Sequence, residues 1–260
     1  MDAHARSRPR PDALPAPAWN AYLQEARFEF LRLWRSPSFS LPVLLFPPLF
    51  YLLFGEIFGG NRSPEAARYL LAGYSVFGIM GVALFGFGVT VAVDREQGLL
   101  VLKRAQPMPP GAYLLAKVAM AMLFSAIVLV LLSVLAATVV GVRLPPLQWL
   151  GLVATCLLGV LPFSALGLWL GTLVGGRGAP ALINLVYLPM AFLSGLFIPL
   201  SMLPGALKSI APLWPSYHLA RLAQRQVGFA EDAMPWLHAG VLLCIAALFL
   251  FLARRRLAAS

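Results

Sequence analysis

Charge is scarce in this sequence. Only 12% of its 260 residues are Asp, Glu, Lys or Arg, about half the share in an ordinary soluble domain. Hydrophobic types reach 60% and the mean hydropathy is +0.81. A single soluble core of this size cannot hide that much apolar surface, so the bilayer is the expected solvent. Cysteine is nearly absent. Cys156 and Cys244 both sit inside apolar runs and read as small buried hydrophobes rather than a disulfide or metal framework. Histidine is equally sparse: His4, His218 and His238 lie far apart and read as polar interface residues. There is no GxxxxGK[ST] phosphate cradle and no HExxH pair. This chain is therefore expected to bind no cofactor of its own. A secretory leader is missing from the first 36 residues, so the first span is expected to insert and stay. The net charge of +10 comes from residues scattered between apolar runs. It points to an anionic membrane surface rather than to nucleic acid.

What is present is a series of long apolar runs. Residues 1–18 read as a disordered tail rich in Pro, Arg and Ala. Residues 19–36 read as an amphipathic interfacial helix. Trp19, Tyr22, Leu23, Ala26, Phe30, Leu33 and Trp34 lie on one face; Gln24, Glu25, Arg32 and Arg35 lie on the other. Residues 37–260 form the spanning part. A span needs about 20 apolar residues, and six runs qualify: about 38–58, 69–93, 112–142, 148–174, 179–199 and 235–253. The expected class is an all-α integral membrane protein of six spans. Pro42, Pro47 and Pro48 predict a kinked first span. With a cytoplasmic N-terminus, 14 Lys and Arg fall on the cytoplasmic side and 6 on the other. Both termini are then cytoplasmic.

Two segments do not span. In residues 94–111, Asp94 is expected to cap a short helix with Gln97 as its capping-box partner, and Pro107, Pro109 and Pro110 to stop it. In residues 200–234, Pro204 opens a short helix, Pro212 ends it, and Ser216 caps another that runs to Val227. Ionisable residues within spans are few. Lys117 is expected to snorkel to the cytoplasmic interface. Glu56 is either a solvated end residue or a group at the exit of a pathway.

The stretch DREQGLLVLKRAQPMPPGAYLLAK resembles the E-R-E-x-G-T-x-x-x-L signature of permease subunits of type-2 ABC exporters. Asp94, Arg95, Glu96, Gly98 and Leu102 carry the match, and Leu99 stands where the family often has Thr. SGLFIPLSMLPGALKSIAPLWPSYHLARLAQ resembles that family's segment between the last two spans, through Ser194, Gly195, Pro199, Leu203, Pro204, Leu207, Pro215 and Tyr217. The resemblance covers essentially the whole chain.

What it implies is an expectation about mechanism. Two permeases, identical or different, pair in a bacterial inner membrane, and two separate ATP-binding subunits, which hold ATP and Mg2+, dock on the cytoplasmic side. A coupling helix at about 94–106 sits in the ATPase, with Asp94, Arg95, Glu96, Gly98, Leu102, Lys103 and Arg104 as docking candidates. Short re-entrant helices at about 200–234 cap the exit, with Glu56, Pro199, Pro204 and Tyr217 as outer-gate candidates. The pathway runs along the permease interface. Phe46, Phe50, Phe54, Phe77, Phe85, Asn184, Tyr187 and Met190 are its candidate lining, although aromatics in spans also serve plain packing and lipid contact. The expected cargo is hydrophobic or amphipathic, such as a drug (multidrug efflux) or a lipid. Export of a polysaccharide or lipid-linked glycan is the alternative within the family. A secondary transporter is disfavoured by the lack of midplane charge, and a membrane enzyme by the lack of clustered His, Asp or Arg.

Overall fold

The computed structural model describes residues 18–58, 63–105, 111–229 and 234–259. The expected tail, most of Met1–Ala18, lies outside the described residues, as do Pro107, Pro109, Pro110 and His4. Every regular element among the described residues is helical. The longer ones are α1 (Ala18–Trp34), α2 (Pro37–Phe58), α3 (Pro64–Ala83), α4 (Thr90–Glu96), α5 (Leu99–Ala105), α6 (Ala112–Thr138), α7 (Pro146–Gly171) and α8 (Ala179–Leu193). They are followed by α9 (Gly205–Ile210), α10 (Pro215–Gln226) and α11 (Pro235–Ala259). A π-helical segment, Leu84–Val89, joins α3 to α4 without a break.

Local chemistry places the helix starts. Proline stands at the first turn of α2, α3, α7 and α11, where its fixed φ fits and its missing N–H costs nothing. The Ser63 hydroxyl accepts the Ala66 N–H at 3.2 Å, capping α3. Gly98 (φ +71) supplies the left-handed residue between α4 and α5.

Five helices are long and apolar enough to cross a bilayer: Pro37–Ile57, Pro64–Glu96, Ala112–Thr138, Pro146–Gly171 and Pro235–Leu257. The protein is thus a multi-pass membrane protein. The run expected to span at 179–199 differs. Its helix stops at Leu193, after 15 residues, because the chain turns at Gly195 (φ +73). At 1.5 Å per residue α8 is about 22 Å long, short of a hydrocarbon core of about 30 Å. The three prolines of α2 lie inside one continuous helix.

The core is centred on the 33-residue helix Pro64–Glu96. Leu71, Ile79, Met80 and Leu84 pack there with Met120, Phe124 and Leu132 of α6 and Leu152 and Phe163 of α7. Against the π segment, α7 approaches closely through glycine: a Cβ on Gly88 would lie 2.8 Å from the Gly167 carbonyl oxygen, and one on Gly171 would overlap the Gly88 carbonyl. Large apolar side chains elsewhere point outward, among them Leu41, Leu45, Leu49 and Leu53 of α2 and Leu243, Leu248 and Phe251 of α11. In water such a belt would aggregate; in a bilayer it is the solvated surface.

Candidate functional site

The site has three storeys, and the first is a buried ion network at the end of the bundle that carries Arg32 and Arg95. Lys117, on α6, is fully buried. Its Nζ donates to Glu29 Oε2 at 3.0 Å and to Thr90 Oγ1 at 2.9 Å, and lies 3.1 Å from Asp94 Oδ2. Asp94 is also fully buried. It accepts Arg32 Nη1 at 2.8 Å and the Tyr113 hydroxyl at 2.7 Å. Lys103 pairs with Glu25 and, at 3.4 Å, with Glu29. Three cations meet three carboxylates, the balance that lets charge stay in a low-dielectric interior. Burial of Arg32 opposes its charge. The bond to Asp94 and that carboxylate's charge outweigh this, so the guanidinium holds its proton more tightly than usual.

The neighbouring residues of the motif are held in the same way. Arg95 donates to the carbonyls of Thr172 at 2.5 Å and Val174 at 3.0 Å, satisfying acceptors at the C-terminal end of α7. Glu96 Oε2 accepts the Gly176 N–H at 2.5 Å. Two local expectations change, for Asp94 and for Lys117. Asp94 does not cap a new helix; it lies inside a continuous one, and α5 begins at Leu99. Lys117 does not snorkel to water. Asp94 is fully buried, Arg95 and Lys103 are half-buried and bonded internally, and Glu96 stays exposed while it accepts the Gly176 N–H. Among the described side chains of α5, the exposed ones are Val101 at 68% and the candidate Leu102 at 61%. The Arg104 side chain lies outside the described residues.

The second storey is a chamber of about 800 Å3 between α2, α8 and the long helix. Of the candidate pathway residues it contains Phe46, Phe50, Phe77, Phe85, Asn184 and Tyr187. It omits two. Phe54 stacks on Phe50 and Tyr74 beside the chamber. Met190 is fully buried, and its carbonyl accepts the hydroxyls of Ser194 and Ser216. Sequence reasoning did not place Arg32, Ser36 and Ser38 at the chamber's basic end, nor Thr90 and Val93 in its wall. Apart from Arg32 the wall carries no charge.

The third storey is the turn-rich segment after α8. Pro199 precedes a 3-10 turn, Leu200–Met202, and Pro204 precedes α9. The helix α9 runs on into a 3-10 turn containing Pro212. The residue preceding α10 is Trp214, and Ser216 lies within its first turn rather than at the cap. The Gly195 carbonyl accepts the Tyr69 hydroxyl at 2.5 Å and Gln224 Nε2 at 3.2 Å. Tyr217 packs edge-on against His218 and His238. Glu56 is exposed at the end of α2, and Cys244, expected inside, is exposed too.

His218 and His238, 20 residues apart, meet at 2.8 Å between their Nδ1 atoms. His218 Nε2 lies 2.9 Å from the Pro212 carbonyl. A carbonyl only accepts, so His218 carries its proton on Nε2 and takes the His238 Nδ1–H on its bare nitrogen. Burial lowers the proton affinity of His218, with the Pro212 bond opposing. A base with a depressed folded pKa binds fewer protons folded than unfolded. Its stabilising effect is therefore full above the unfolded value of about 6.5 and is lost as pH falls through it. The melting midpoint of the purified protein should drop by about 2–4 °C more on going from pH 7.5 to 5.5 than that of His218→Gln, since one hydrogen bond is at stake. Equal drops would remove the pair from the account.

A multi-pass helical protein with a charge-balanced foot and an apolar chamber belongs to the class of membrane transport subunits. Residues 22–225 match the family model described as ABC-2 type transporter. The chain is 26% identical over 237 residues to "Putative transport permease YvfS" of Bacillus subtilis (strain 168), covering 90% of this chain and 96% of that protein. The chain belongs to the ABC-2 type transporter family. It is a transporter permease rather than an enzyme, and membership implies ATP-binding cassette partners.

Proposed function

We propose that this permease forms half of the membrane pathway of an ATP-driven exporter for hydrophobic or amphipathic molecules, a drug or a lipid. The observation that carries this is the chamber of about 800 Å3, walled by Phe46, Phe50, Phe77, Phe85 and Tyr187. Aromatic rings also suit sugar faces. A glycan, however, needs hydrogen-bonding groups spread along the wall; here Arg32, Ser36 and Ser38 gather at the basic end, and the Thr90 and Tyr187 hydroxyls are bonded to the backbone, so the apolar cargo is preferred. In this reading a second permease closes the chamber against the exposed faces of α2 and α8. The basic end faces the cytoplasm, both termini lie there, and the bilayer is the inner membrane. With the short α8 and the turns that follow it together making a sixth pass at the pathway, the chain has six passes. The ATPase subunits, holding ATP and Mg2+, dock on α5 through Val101 and Leu102.

The test is co-expression with an ATP-binding subunit, affinity purification in mild detergent, and an ATPase assay. Wild type should bring down a nucleotide-hydrolysing partner. Leu102→Asp, a charge set into a desolvated apolar contact, should weaken that association at least about 30-fold, as loss of an interface anchor does. Leu102 is a cleaner probe than Glu96, whose loss would also break the tie to Gly176. A wild-type chain that emerges without any ATPase would sink the reading.

A further inference from the structure

The π-helical segment has a geometric consequence for the chamber. Phe77, Gly81, Phe85, Val89 and Val93 all line it, at intervals of four residues. In an α-helix each residue turns about 100°, so a four-residue step drifts about 40°, and the stripe would wind about 160° away over 16 residues. A π turn absorbs one extra residue. It brings Val93 back by about 100°, and the stripe stays on one wall.

The side chain that satisfies this irregular turn is Thr90. In an α-helix the Thr90 N–H would bond the Gly86 carbonyl. Here that N–H goes to the Phe87 carbonyl, and the Thr90 hydroxyl donates to Gly86 O at 2.6 Å in its place. A hydroxyl has one proton. Lys117 Nζ, donating to Thr90 Oγ1 at 2.9 Å, fixes the oxygen as acceptor there and turns that proton toward the carbonyls, where Gly86 at 2.6 Å is nearer than Phe87 at 3.2 Å. Lys117 in turn is bonded to Glu29 of α1 and to Asp94 at the foot of the same long helix. The chain of contacts runs from the helices nearest α5, through Lys117 and Thr90, into the chamber wall. Opposite, α7 meets the segment through Gly167 and Gly171, so no α7 side chain at those two positions blocks a turn of the wall.

We propose that Thr90 and Lys117 are positioning residues that hold the π turn in one of two registers, and that its conversion to α-helix carries movement of the ATPase-facing helices to the pathway wall. This rests on the exporter reading above. Movement of α1 or α5 pulls Lys117 from Thr90, the hydroxyl loses its orientation, and the Gly86 carbonyl returns to the backbone amide. Val89 and Val93 then swing relative to Phe77 and Gly81. Such one-residue shifts are discrete, as a two-state element requires.

The experiment uses Phe85→Cys or Val93→Cys in a Cys244→Ser background, since Cys244 is exposed and Cys156 buried. The purified permease alone is labelled with a small thiol reagent. Thr90→Val keeps the side-chain shape and removes the hydroxyl. The ratio of labelling rates at 85 and 93 should then shift about tenfold, the size one hydrogen bond carries, and Thr90→Ser should restore it. In the reconstituted complex, transport per ATP hydrolysed should fall about tenfold with Thr90→Val and recover with Thr90→Ser. An unchanged labelling ratio overturns the proposal even if Thr90→Val expresses poorly. A shifted ratio with unchanged transport per ATP overturns the transmission. A wild-type complex without ATP-driven transport would instead overturn the exporter reading, while labelling of the permease alone would still decide the register switch.

Discussion

Lys117→Ala is expected to cost about 3–5 kcal/mol, the cost of removing one partner from a buried ion cluster. The reason is the local balance. Glu29 is 3% exposed and Asp94 not at all, and Lys117 lies within 3.1 Å of a carboxylate oxygen of each. Its loss leaves two cations against three carboxylates, two of which, Glu29 and Asp94, are buried. Unfolding of the purified permease in mild detergent, followed by heat or denaturant, measures the cost. A second variant separates charge balance from mere packing. Lys117→Met with Glu29→Gln removes one charge of each sign and fills the space with side chains of similar length. It should recover most of the loss, because buried ion pairs replaced by neutral groups of similar volume are often near neutral. If the single variant lies within about 1 kcal/mol of wild type, the network carries too little energy to fix α1 against the long helix.

Gly73→Ala is expected to be the most damaging glycine-to-alanine change among the described residues. A Cβ there would overlap the backbone oxygen of Leu196, and backbone, unlike the end of a side chain, cannot step aside cheaply. Overpacking of this kind costs about 1–3 kcal/mol and at times more, against which alanine's better helix propensity returns only about 1 kcal/mol. The strain falls on the strap Ser194–Leu196. That strap is held by Tyr69 and Gln224 at the Gly195 carbonyl and by the contact between the Ser194 and Ser216 hydroxyls. Gly205→Ala is the control. It has nothing within 4 Å and should be neutral or slightly stabilising. Melting curves and proteolysis of the segment between α8 and α11 read both. Equal behaviour of the two variants would mean the strap can move away from α3 at little cost.

Much of the architecture is legible because bilayer helices are written locally. The length of an apolar run sets a span, and Ser63-Pro64, Gly98 and Gly111 mark ends through a cap and two left-handed residues. Six of the eight candidate pathway residues lie together in the chamber, since the aromatics of α2, α3 and α8 face the space those helices enclose. Phe54 and Met190 missed it by their position around the helix, which composition does not report. Glu29 lies on the face of α1 that also carries Glu25 and Arg32. The signal for it was its spacing, four residues after Glu25 and three before Arg32. The motif Asp94-Arg95-Glu96 was legible as a cluster of charges but not in its contacts. Each of the three is bonded to another part of this chain, with Asp94 fully buried and Glu96 still exposed.

By itself, the sequence determined that this is a helical membrane protein, where its long helices begin, and the family to which it belongs. Those properties depend on run length, caps and short motifs, which act over a few residues. Only the tertiary structure decided which charges turn inward, that His218 and His238 meet, that α8 stops short, and that a π turn straightens the chamber wall. The physical reason is that lipid and protein interior are both apolar, so helical periodicity does not say which face meets which. Partners 88 residues apart, as Lys117 and Glu29 are, are brought together by packing alone.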